Sequence, residues 1–114
     1  LEAAMQAVCG NQPVLLVAYD QAAPAPLNSV CSISRTFGVA FVISPSRSSR
    51  SFASLELRSS VQGGVGEVTL DPGLEALRRG NPAARVLPLL ACLAASKAAA
   101  LAVSPLVLEI SPCR

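Results

Sequence analysis

The sequence predicts an α/β fold, a sheet packed with helices, in a domain that needs a further surface to complete it. Three observations carry this. Two continuous apolar runs, residues 14–18 and 39–43, have the length of strands, and the second is rich in β-branched side chains. Asp71-Pro72 and Asn81-Pro82 each place a capping side chain before a proline, the signature of a helix start. Finally, 52% of the 114 residues are apolar and 14% charged, where roughly 25% charged is ordinary for a soluble domain. One small core cannot hide that much apolar surface, so the chain reads as a single, incomplete domain over residues 1–114.

Leu1, Ala4, Met5 and Val8 recur at helical spacing before Gly10-Asn11, which predicts the last turns of an amphipathic helix entered partway along. With no initiator Met and no basic or apolar leader ahead of it, the simplest reading is a shortened parent without a visible signal peptide. Residues 14–18 lack alternation, the pattern of a central strand covered on both faces as in parallel sheets. Residues 22–26 mix Ala and Pro and permit neither helix nor ladder. Residues 39–43 again read as a strand buried on both faces, and Leu55 and Leu57, alternating with Glu56 and Arg58, predict a neighbouring strand with one wet face near the sheet edge. Asp71-Pro72 opens a helix that Gly80 closes; Asn81-Pro82 opens a second one running to about Ala98, with a kink or restart at Pro88. Leu106, Leu108 and Ile110 alternate with Val107 and Glu109 in a last strand.

Several function classes are excluded or weakened. Residues 86–103 are about long enough to reach across a bilayer, but Pro88 and Lys97 interrupt an Ala-rich stretch of weak transfer energy. A buried or subunit-facing helix is expected there, with membrane association as the rival. The net charge of +2 is too small to drive nucleic-acid binding. Cys9, Cys31, Cys92 and Cys113 match no zinc spacing, and no histidine completes a mixed site. Cys9 and Cys92 read as small hydrophobes on helices and Cys31 and Cys113 as loop residues, which gives four reduced thiols, a cytoplasmic home, and no metal or cofactor. Residues 62–66 hold Gly63, Gly64 and Gly66 in a flexible turn, but the spacing G-x-G-x-x-G of a phosphate cradle lacks its third glycine, and Val68-Thr69-Leu70 follows in place of a helix start.

A nucleophilic Cys or Ser needs a base within hydrogen-bond reach, so Cys-His catalysis inside this chain is excluded and no catalytic residue is assigned. Glu2, Asp20, Glu56, Glu67, Asp71, Glu75 and Glu109 are scattered, with Asp71 a cap and Glu56 and Glu109 wet-face strand residues. Asp20 alone invites a functional reading, since it lies at the carboxyl end of a predicted strand, where open α/β sheets place ligands. The plainer reading is a turn carboxylate bonding nearby backbone amides. Lys97 reads as a helix residue snorkelling to solvent rather than a catalytic amine. Arg47 and Arg50 flank serines in residues 44–54, a solvated loop or a docking patch for an acidic partner whose binding would weaken with salt.

The stretches PVLLVAYD (residues 13–20), PAPL (24–27), FGVAFVI (37–43), GNPAA (80–84) and LVLEISPC (106–113) resemble, in order and spacing, the carboxyl-terminal half of the bacterial β-ketoacyl-synthase-like N-terminal domain family. Residues 46–70 depart from it. The resemblance implies a partial thiolase-like layered fold, a mixed five-stranded sheet packed with helices and completed by a dimer partner. It implies an accessory, chain-length-factor-type subunit beside a catalytic ketosynthase in fatty-acid-like, polyketide or aryl polyene chain elongation. The ketosynthase, or a second copy, is then the expected partner, with acyl carrier protein docking at Arg47 and Arg50. The rival is half of a condensing enzyme, a β-ketoacyl-ACP synthase whose catalytic residues lie outside this chain.

Overall fold

The computed structural model describes residues 1–59 and 68–113. Among them are helices α1 (Glu2–Gly10), α2 (Pro72–Gly80) and α3 (Leu87–Ala94). The strands are β1 (Val14–Asp20), β2 (Phe37–Ile43), β3 (Ala53–Ser59), β4 (Ala99–Val103) and β5 (Leu106–Pro112). They form a two-stranded sheet, β1-β2, and a three-stranded sheet in the order β3-β5-β4, with every described pairing antiparallel. The α/β class expected from the sequence is present. The chain divides into two compact units, Leu1–Arg47 with Pro72–Arg85 and Ser48–Asp71 with Val86–Arg114.

In the first unit α1 lies against β1 and β2. It turns Ala3, Ala4 and Ala7 inward, while Leu1, Met5 and Val8 are exposed. Of the expected apolar stripe only Ala4 is therefore turned inward; the helix meets the strands with small alanines, and the larger residues are left outside. Gly10 stays helical and Asn11 takes the left-handed conformation at φ 47°. The Asn11 and Gln12 amides donate to the Val8 and Ala7 carbonyls, a Schellman closure that satisfies the last turn. Residues 21–24 are irregular, as the prolines dictate, before one 3-10 turn at Leu27–Ser29.

β1 and β2 run antiparallel with Val14 opposite Ile43 and Asp20 opposite Phe37. One face carries Val14, Leu16, Ala18, Val39, Phe41 and Ile43, nearly all half-buried. The other carries Leu15, Val17, Tyr19, Gly38, Ala40 and Val42, all exposed. The expectation of strands covered on both faces in a parallel arrangement is thus corrected. The residues of the second face are apolar as a covered strand requires, but among the described residues only the first face is covered. α2 begins at Pro72 and ends at Gly80, as its start and stop residues predict.

In the second unit β5 is central, with β3 and β4 on its flanks, so β3 is the edge strand its wet-face alternation predicts. β2 and β3, expected side by side, belong to different sheets. Val107 and Ile110 are both buried although they point to opposite sides of β5, so Val107 is a core residue and not part of a wet face. Leu87 and Cys92 of α3 complete the core of this unit.

The helix expected to run to Ala98 restarts near Pro88, as predicted, but stops at Ala94. A 3-10 turn, Ala83–Val86, precedes it, and Pro88 sits in the first turn of α3, where its missing N–H costs nothing. Ser96 at φ 48° then closes α3, with the Ser96 and Lys97 amides donating to the Leu93 and Cys92 carbonyls. The remaining apolar residues pair along β5 as β4, through the tight turn Ser104-Pro105. Alanine by itself favours helix and is depleted in strands, so the ladder with β5 overrides the local preference here.

Candidate functional site

Polar groups from several distant segments converge at the carboxyl end of β1. Asp20 is the last residue of β1, and Asn81 follows the last residue of α2. Asn81 is 1% exposed, yet both ends of its amide are satisfied. Its Nδ2 donates to the Arg35 carbonyl at 2.7 Å and, more weakly, to the Asp20 carbonyl at 3.4 Å. Its Oδ1 accepts from the Ala84 amide, three residues on, at 3.2 Å, as a capping asparagine does. The Asp20 carboxylate accepts the Ala83 amide through Oδ2 at 2.8 Å. Two side chains thus cap one 3-10 turn.

Ser34 completes the cluster. Its amide and its Oγ both donate to the Gly80 carbonyl, at 2.9 and 3.2 Å. A Cβ on Gly80 would overlap Ser34 Oγ and stand 2.8 Å from its Cβ, so this close approach requires glycine. Of the two readings of Asp20, the amide-bonding one fits its observed partner, although that amide is 63 residues away rather than nearby. Sequence reasoning identified Asn81 as a helix-opening cap. It missed the second half of the job, holding the Arg35 carbonyl, because no local pattern announces a tertiary acceptor.

The other sequence-singled residues are dispersed. Arg47 and Arg50 are exposed on the loop between β2 and β3. Around them the loop amides of Ser46, Ser48 and Arg50 donate to the hydroxyls of Ser44, Ser51 and Ser48, so the serines fold the loop on itself. Lys97 is exposed, in the turn after α3 rather than on a helix. Arg58 of β3 bridges Glu56 beside it and Glu109 across the ladder, at 3.1 and 3.4 Å. The Arg58 hydrogen bond holds the Glu56 carboxyl below its ordinary range. On α2, Glu75 receives Arg78 at 2.7 Å and Arg79 at 2.8 Å, and these hydrogen bonds lower its pKa to about 2.

Cys92 is buried as a small hydrophobe, but Cys9, expected among apolar neighbours, is exposed, as is Cys31. Cys113 is half-buried just after β5. Among the described residues no three His, Cys, Asp or Glu side chains group as a metal site would need. No helix among them is long and apolar enough to cross a membrane. The glycine turn at residues 62–66 lies outside the described residues. A shallow groove of about 280 Å³ between α1 and β1 is lined by Glu2, Ala3, Gln6 and residues 14–17. It brings no nucleophile and base together.

The cluster around Asp20 is therefore a fastening, and the strands of the first unit expose large apolar side chains. Leu15, Val17 and Tyr19 are 65%, 57% and 70% exposed, and Val42 beside them is 72% exposed. No protein family, curated protein or solved structure matches this chain.

Proposed function

We propose that this chain acts as a non-catalytic, chain-length-factor-type part of a β-ketoacyl-synthase-like subunit. In this reading it packs against a catalytic ketosynthase and helps shape the tunnel that receives the growing acyl chain. The observation that carries it is the bare apolar face of β1 and β2, where a layered sheet-and-helix domain of the thiolase-like kind would have a second layer. Fully burying Leu15, Val17, Tyr19 or Val42 is worth roughly 1.5–3 kcal/mol each, an upper figure from which the cost of association is subtracted. The family-like stretches at residues 13–20 and 37–43 are the two strands that carry this face.

Two further features support a binding role over a catalytic one within these residues. There is no histidine, so no imidazole can activate a thiol or hydroxyl. Asp20, the best-placed carboxylate, is engaged with a backbone amide.

The test is co-expression with a single-function β-ketoacyl-ACP synthase, followed by affinity capture of this chain and an acyl-thioester condensation assay on the chain alone. A stoichiometric complex with the ketosynthase, and no turnover without it, is the expected result. A stable monomer that ignores the ketosynthase would overturn the partner assignment, and turnover by the isolated chain would overturn the non-catalytic one.

A further inference from the structure

We draw no further inference here: the strongest candidate, the bare apolar face of the two-stranded sheet at Leu15, Val17, Tyr19 and Val42, belongs to the surface already described, and nothing in the structure shows what covers it.

Discussion

Asn81 joins segments that are far apart in sequence, the end of β1, the loop before β2 and the start of the 3-10 turn, through one buried amide group. Removing that amide takes from the part-buried Arg35 carbonyl its Asn81 donor, and leaves the buried Ala84 amide with the Asn81 main-chain carbonyl as its remaining acceptor. Each such loss costs roughly 1–3 kcal/mol. Asn81→Ala should therefore destabilise the chain by about 1–3 kcal/mol on that scale, read as a lower urea midpoint with an unchanged slope. A change within about 0.5 kcal/mol, typical of a neutral surface substitution, would show that the amide is dispensable. Next to it, Gly80→Ala drives a methyl group into Ser34. Overpacking of this kind costs ~1–3 kcal/mol, and Ser34→Gly in the same background should recover part of it. Strictly additive effects in that double-mutant cycle would mean the two residues do not press on each other. Asn81 and Gly80 were legible as cap and stop, because helix ends are written in local sequence. Their tertiary partners were not, because Asp20, Ser34 and Arg35 offer ordinary turn composition with nothing to mark what they meet.

α2 has an electrostatic signature that belongs to the helix as a unit. Glu75 in its first turn faces Arg78 and Arg79 in its last, each one turn away. The carboxyl ionises at about 2 in the folded chain, against 4.5 ordinarily. The stability from this contact is thus fully present above pH 4.5 and is lost as pH falls from there through 2. In a pH series of unfolding midpoints, the deficit of Glu75→Gln relative to the parent should be present near neutral pH and vanish in that window. A deficit that persists below pH 2 would assign the effect to packing instead. Because the pair is partly exposed, added salt should shrink the deficit. This helix, the edge strand β3 and the last strand β5 were readable from caps and alternation. Residues 86–103 were not: an Ala-rich apolar run fits a helix or a strand, and the choice was made by the reversal at Ser96 and the ladder with β5. β1 and β2 were readable as strands but not in their partnership, since an apolar run records a need for cover on two faces without recording whether this chain supplies both.

At the scale of the whole molecule, the surplus of apolar residues was visible in composition, and the structure gives part of it an address. It lies along Leu15, Val17, Tyr19, Ala40 and Val42 on one side of the β1–β2 ladder, opposite the half-buried face. A charge introduced there separates a surface that is merely greasy from one that has a partner. Val17→Lys puts an ammonium into solvent in the isolated chain, where exposed substitutions change stability by about 0.5 kcal/mol or less. Against a covering subunit the same ammonium is desolvated and unpaired, which costs several kcal/mol and would reduce capture of the ketosynthase at least about tenfold. Val39→Lys, on the half-buried face, is the contrasting variant: it should lower the stability of the chain itself, because there the charge is forced toward α1 and the strand interior. If Val17→Lys unfolds the chain as Val39→Lys does, the face is part of the chain's own core. If it leaves both stability and ketosynthase capture unchanged, the partner sits elsewhere and the proposed function loses its main support. Loss of capture at nearly full stability is the expected outcome, since the side chains of this face are exposed in the chain and contribute to its fold only through their cross-strand pairs.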